Sequence, residues 1–138
     1  MEQREYSLSQ INYIAKWLID NYLNKNIWLF NGQMGVGKTT LINEISKQLG
    51  VKDTPSSPTY SVVNEYKSVN GIIYHLDLFR LKNIPEALDA GIEEILFSGA
   101  LCFIEWPEII LPLLINDYLE INLSNLEQNR QIQIIEHA

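Results

Sequence analysis

The chain's 138 residues, 46% hydrophobic and 10% aromatic, fit one folded domain with its own core and exclude a disordered or fibrous segment. The formal net charge of −7, with ten scattered basic residues, opposes direct binding to naked nucleic acid or an anionic membrane, because neutralising phosphates requires clustered Lys and Arg. One cysteine, Cys102, rules out an internal disulfide.

In chain order, residues 7 to 23 read as a helix. Ser7 and Gln10 spell a capping box, and Leu8, Ile11, Ala15, Leu18 and Tyr22 recur at helical spacing. Ile27-Trp28-Leu29-Phe30 is a short continuous apolar run, the pattern of a buried central strand. Lys38 to Leu49 follows as a helix with Leu41, Ile42, Ile45 and Leu49 on one face and Gly50 at its stop. Residues 51 to 59 form a loop rich in Ser, Thr and Pro. Tyr60 to Tyr66 and Ile72 to Leu78 are strand-like, and Asn70-Gly71 between them signals a hairpin. Ile84 to Leu96 is expected as one helix with Pro85 in its first turn. Leu101 to Trp106 is a second buried strand, and Cys102 within it is expected to be a small inert hydrophobe, in keeping with a reducing compartment. Tyr118 to Leu123 and Arg130 to Ile135 read as two closing strands. The order implies an α/β fold, a mixed sheet with helices on both faces and an antiparallel part, in a single domain spanning 1–138. Met1 to Glu5 lack the pattern of a signal peptide, and the apolar stretch from Ile109 to Ile115 is broken by Pro112 and too short to span a bilayer. A cytoplasmic protein is expected.

Gly32-Gln33-Met34-Gly35-Val36-Gly37-Lys38-Thr39 fits G-x-x-x-x-G-K-[ST], the P-loop. Glycines let successive backbone N–H groups turn inward as an anion nest, and the following helix aims its positive end at the bound phosphates. Lys38 would supply charge to the β- and γ-phosphates and Thr39 a hydroxyl to Mg²⁺. Thr40 is placed to donate to the α-phosphate. At average residue usage, the pattern arises by chance in about one chain of this length in a few hundred. Its setting between a buried strand and an amphipathic helix argues further for nucleoside triphosphate binding at Gly32, Gly35, Val36, Gly37, Lys38, Thr39 and Thr40.

A triphosphate site also needs a carboxylate for Mg²⁺ and a group that orients the attacking water. Asp77 ends the run Ile72–Leu76, and Glu105 ends Leu101–Ile104 as a Walker-B acid does. Both are candidate catalytic and metal-site residues with Thr39, and spacing does not assign which acid holds metal and which orients water. Trp106 could stack on adenine or serve as a packed aromatic. His75 reads as a hydrogen-bonded structural histidine. Of three arginines, Arg4, Arg80 and Arg130, only Arg80 adjoins a site motif in sequence.

With these motifs in place the sequence resembles TsaE, the bacterial P-loop ATPase family of tRNA threonylcarbamoyladenosine (t6A) biosynthesis. The resemblance rests on the glycine loop, Ser57-Pro58-Thr59-Tyr60, Tyr66, His75-Leu76-Asp77-Leu78-Phe79-Arg80, Glu86 and Gly91, and Ile104-Glu105-Trp106-Pro107-Glu108. Together these cover roughly residues 7 to 135. It implies a P-loop NTPase-type three-layer fold and a Mg²⁺-dependent ATPase of low intrinsic turnover, using ATP/ADP. Its partners would be the proteins TsaB and TsaD, which transfer the threonylcarbamoyl group to tRNA, so that tRNA is met only through them. Lys38, Thr39, Asp77, Glu105 and Trp106 would be working residues, and Thr59 a switch near the γ-phosphate. Gln33 stands where the family usually has an acid, and Phe79 where it has tyrosine.

A small-molecule kinase is the competing enzyme class. It needs an arginine-bearing lid over the transferring phosphoryl group, for which three arginines in 138 residues leave little room. A nucleotide-dependent interaction module without turnover would share the same residues and differ only in rate.

Overall fold

The computed structural model describes residues 1–52, 62–115 and 117–138. The apolar run after Asn26 becomes β2 (Ile27–Asn31), in which Trp28, Leu29 and Phe30 are all buried, so both faces of the strand are covered. A strand with no solvent face belongs at the centre of a sheet, and β2 lies there. The strand order is β1-β7-β6-β2-β5-β4-β3, formed by β1 (Glu2–Tyr6), β3 (Val63–Ser68), β4 (Gly71–Asp77), β5 (Leu101–Glu105), β6 (Tyr118–Asn125) and β7 (Arg130–His137). β4, β5, β2 and β6 run parallel, and the pairs β3–β4, β6–β7 and β7–β1 are antiparallel. The C-terminal ends of the four parallel strands and the first residue of β7 therefore share one edge of the sheet.

Helices cover both faces. On one, α1 (Ile11–Tyr22) buries Ile14, Ala15, Leu18 and Tyr22, and α2 (Lys38–Gln48) buries Leu41, Ile42 and Ile45. They pack with Trp28, Phe30, Phe103 and Ile121. Burying a side chain such as Leu18 contributes roughly 1.5–3 kcal/mol. On the other face, α3 (Ile84–Asp89), α4 (Ile92–Leu96) and a 3-10 segment (Pro107–Leu113) place Ala87, Ile92, Leu96 and Ile110 against Leu29, Leu76 and Ile104. This is the expected α/β architecture with helices on both faces of a mixed sheet.

Four expectations change in detail. The helix of residues 7 to 23 opens as a 3-10 turn (Leu8–Gln10), where the Ser7 amide donates to Gln10 Oε1 at 2.9 Å, and is α-helical only from Ile11. The helix expected over 84 to 96 is two, because Gly91 adopts φ 78 and ends the first; Asn83 caps that first helix by accepting from the Glu86 amide at 3.0 Å. The hairpin forms, but Gly71, not Ile72, opens β4, opposite Ser68 of β3 (Val63–Ser68). Residues 53–61, which carry the first part of that expected strand, lie outside the described residues. β1 was not expected at all. Glu2–Tyr6 buries only Tyr6 and has no apolar alternation; it is a strand because β7 offers it a free edge.

Among the described residues no helix is long and apolar enough to cross a membrane. Cys102 is fully buried, and burial pushes its thiol up to about 12. An aromatic disulfide reagent at pH 8 is therefore expected to leave the native thiol untouched and to titrate one thiol per chain after denaturation. Rapid reaction of the native protein would contradict a buried β5.

Candidate nucleotide-binding site

β2 ends at Asn31 and the chain must turn sharply into α2. At Gly32, φ is 151, and a Cβ would come within 2.7 Å of both the Leu123 carbonyl oxygen of β6 and Val36 Cγ1, so the approach of the loop to β6 admits only glycine. At Gly37, the N-cap of α2 with φ 98, a Cβ would collide with the Arg130 guanidinium. Between them Val36 is buried in the core and its amide donates to Gln33 O at 3.2 Å.

The loop forms one wall of a cleft of about 430 Å³, lined by Met34, Gly35, Gly37, Lys38, Thr39, Thr40, Asp77, Phe79, Glu105, Trp106 and Arg130. The sequence candidates Gly35, Gly37, Lys38, Thr39, Thr40, Asp77, Glu105 and Trp106 thus converge, and Gly32 and Val36 stand behind the wall they shape. Ser57 to Tyr60, with the switch candidate Thr59, lie outside the described residues.

Lys38 is buried; its Nζ donates to Gly32 O at 2.6 Å and lies 3.5 Å from the centroid of the Trp106 ring. Burial lowers its pKa, opposed by the charges of Glu105, Glu108 and Asp77 in that order. Trp106 takes a left-handed backbone, φ 56, and its ring packs on Phe79 at 5.1 Å between centroids. Phe79 therefore supports the tryptophan without a hydroxyl.

Glu105 is the hub of a hydrogen-bonded chain in which it, His75 and Tyr66 are buried. Thr39 Oγ1 donates to its two oxygens at 3.0 and 2.9 Å, His75 Nε2 lies 2.6 Å from Oε2, and Tyr66 OH lies 3.0 Å from His75 Nδ1. Every proton finds an acceptor if Tyr66 donates to Nδ1 and Nε2–H donates to the carboxylate, an assignment inferred from the heavy atoms. His75 is thus the hydrogen-bonded histidine expected, and its partner is Glu105, the acid that ends β5. Asp77 is half-buried in register with Glu105 and accepts from the Phe79 amide at 3.1 Å. The hydroxyl of Thr39 and the carboxylates of Glu105 and Asp77 are all hard oxygen donors, which suits Mg²⁺. Among the described residues no cluster of three or more His, Cys, Asp and Glu could hold a metal unaided.

The arginine on the cleft wall is Arg130, not Arg80, whose place beside a motif made it the sequence candidate. Arg130 is remote from every motif in sequence and reaches the site because β7 folds back on β6. The strand pattern and its hairpin direction were the only signal that could have found it.

Residues 6–132 match the family described as threonylcarbamoyl adenosine biosynthesis protein TsaE. A tRNA threonylcarbamoyladenosine biosynthesis protein TsaE from Rickettsia felis is 41% identical over 120 residues, covering 86% of this chain and 70% of the relative. The protein of that name from Rickettsia bellii is 44% identical over 108 residues (78% and 74%), and that from Haemophilus influenzae is 33% identical over 122 residues (88% and 77%). The crystal structure of Bacillus subtilis YdiB matches the fold with a TM-score of 0.68 at 22% identity, covering 96% of this chain and 84% of that one. With a glycine loop, an acid at the end of β5 and an α/β sheet already in place, matches of this extent make the chain a member of the TsaE family of tRNA threonylcarbamoyladenosine biosynthesis proteins.

Proposed function

We propose that this chain binds ATP with Mg²⁺ in the glycine-loop cleft, hydrolyses it slowly by itself, and acts in the cytoplasm as a nucleotide switch on the TsaB–TsaD pair during t6A modification of tRNA. The observation that carries the reading is the Thr39–Glu105 hydrogen bond set beside Lys38 in one cleft. It joins the hydroxyl and the acid that a Mg–triphosphate site needs.

In this reading the loop amides and the α2 N-terminus hold the phosphates, Lys38 neutralises the β,γ region, and Thr39 with Glu105 and Asp77 would hold Mg²⁺ directly or through its waters. The ion supplies charge neutralisation at the β- and γ-oxygens when bound. His75 and Tyr66 keep the Glu105 carboxylate aimed at Thr39, and Asp77, in register beside it, would orient the attacking water through the metal's shell. Trp106 has to yield its position over Lys38 when phosphate arrives. Thr59 belongs to the loop proposed to respond to the γ-phosphate. The net charge of −7 fits a protein that reaches tRNA through its partners.

Slow turnover is expected because Arg130, the cleft arginine among the described residues, enters from the side away from the acids, and a missing arginine finger costs about 10³–10⁵-fold. Steady-state hydrolysis by the isolated chain should be slow and should rise when TsaB and TsaD are added. Co-purification with that pair should depend on ATP. Fast hydrolysis without partners, or capture of the pair regardless of nucleotide, would count against a switch.

A further inference from the structure

The geometry points to Tyr66 as a positioning residue for the candidate metal site: its hydroxyl fixes the tautomer of His75, and His75 in that form holds Glu105 against Thr39. The inference deepens the ATP reading and rests on it. Tyr66, His75 and Glu105 stand on β3, β4 and β5, three neighbouring strands. Tyr66 pairs with Ile73, two residues before His75, and His75 pairs with Phe103, two residues before Glu105. Residues two apart on a strand share a face, so the three groups form a diagonal across one face of the sheet. Tyr66, Ile73 and Phe103 pack in the core beneath α1 and α2, and the diagonal ends at Thr39 in the first turn of α2.

Each member of the diagonal leaves the next little choice. Tyr66 OH lies 3.0 Å from His75 Nδ1 and has no other hydrogen-bond partner among the described residues. Burial, and after it the charge of Glu105, raise the pKa of the phenol, so the hydroxyl keeps its proton and donates it. Nδ1 then offers its lone pair, and the ring hydrogen sits on Nε2, 2.6 Å from Glu105 Oε2. The opposite tautomer would set a bare Nε2 lone pair against the carboxylate at that distance and push Glu105 away from Thr39.

A hydroxyl two strands away thus governs an acid that it never touches. It sits on β3, the outermost strand on that side of the sheet. Groups that orient a metal-binding side chain without meeting the metal commonly carry about 10–100-fold in metal affinity or activity. Tyr66 belongs to that class, one step further out than His75.

The test begins on the full chain without nucleotide or metal. Nitrogen–proton NMR of the two imidazoles reads the tautomer of each ring, and the signal lost in His75→Gln assigns His75. The Nε2–H form is expected to dominate in wild type and to lose that dominance in Tyr66→Phe. Hydrolysis is then followed against Mg²⁺ for wild type, Tyr66→Phe, His75→Gln and the double variant. Tyr66→Phe should lower kcat by about 10–100-fold and raise the Mg²⁺ needed for half-maximal rate, with KM for nucleotide retained. Glutamine offers Glu105 an amide N–H that needs no tautomer, so adding Tyr66→Phe to His75→Gln should cost nothing beyond what His75→Gln costs alone. An Nδ1–H ring in wild type would overturn the proposal, as would a Tyr66→Phe chain with unchanged tautomer and rate. Equal losses from Tyr66→Phe in both backgrounds would make the phenol a packing group and overturn it as well; each of these results leaves the ATP reading intact. Wild type that binds no Mg-nucleotide would bring down that reading and the positioning role with it. Melting followed by circular dichroism checks that each variant is folded, and the tautomer of the wild-type ring keeps the proposal open to refutation if a variant unfolds.

Discussion

Glu105→Gln should leave a folded protein that binds Mg-nucleotide with near-wild-type affinity and hydrolyses ATP about a hundredfold more slowly or worse. The carboxylate is 4% exposed and takes hydrogen bonds from Thr39 and His75. Alanine there would strip the acceptor from buried His75 and confuse chemistry with stability, at a cost of about 1–3 kcal/mol for the stranded group. Glutamine keeps the shape and one acceptor but removes the charge that, in the proposed Mg-ATP complex, would polarise the metal's shell beside Thr39. Losing one preorganised electrostatic partner typically lowers kcat by about 10²–10³. In the proposed ATP complex most phosphate contacts would come from the loop and Lys38, so affinity should change little. The measurement is single-turnover hydrolysis with nucleotide affinity and thermal melting on the same preparation. A normal rate would remove Glu105 from the mechanism, and a collapsed melting curve would mark it as a structural group.

Lys38→Ala should abolish measurable ATP binding and hydrolysis together. The amine is the cation set deepest in the cleft; it is held by Gly32 O at 2.6 Å and beneath the Trp106 ring at 3.5 Å. A charged hydrogen bond is worth about 1.5–3 kcal/mol, and lysine offers several donors to the β- and γ-oxygens. Losing two such bonds weakens binding by roughly 10²–10⁴ on that scale. The fold should survive, because alanine suits the first turn of a helix and removes a buried cation whose pKa burial already lowers. Calorimetry that found wild-type affinity in this variant would mean that the loop does not hold phosphates.

What could be read without coordinates was mostly local. β2 and α2 announce themselves because Ile27 to Phe30 is wholly apolar and because Leu41, Ile42 and Ile45 fall on one helical stripe. The same locality exposes the glycine loop, and Asp77 and Glu105 are visible as acids ending apolar runs. β1 was invisible because its residues carry no pattern of their own and obey a partner at the far end of the chain, as in the pairing of Glu2 with Ile134 and Tyr6 with Arg130. The break at Gly91 was overlooked because an apolar period continues across it, and periodicity does not report a left-handed φ. Asp77 and Glu105 were legible as individuals, but the chain Tyr66–His75–Glu105–Thr39 joins four elements of the fold and depends on the parallel register of β4 and β5. Arg130 shows the same limit, since the cue of standing next to a motif selected Arg80.

The pairing of β1 with β7 also bears on solubility. Gln131 to Ile135 is an uncharged, proline-free run rich in β-branched residues, the composition of a segment prone to stack on copies of itself. In the folded chain that run is screened on its outer side by a short strand bearing Glu2, Arg4 and Glu5, charges that discourage further strand addition. Trimming the first six residues would leave the glycine loop intact in sequence yet bare a sticky ladder. Preparations shortened at the amino terminus would then be expected to precipitate before they lost the capacity to bind.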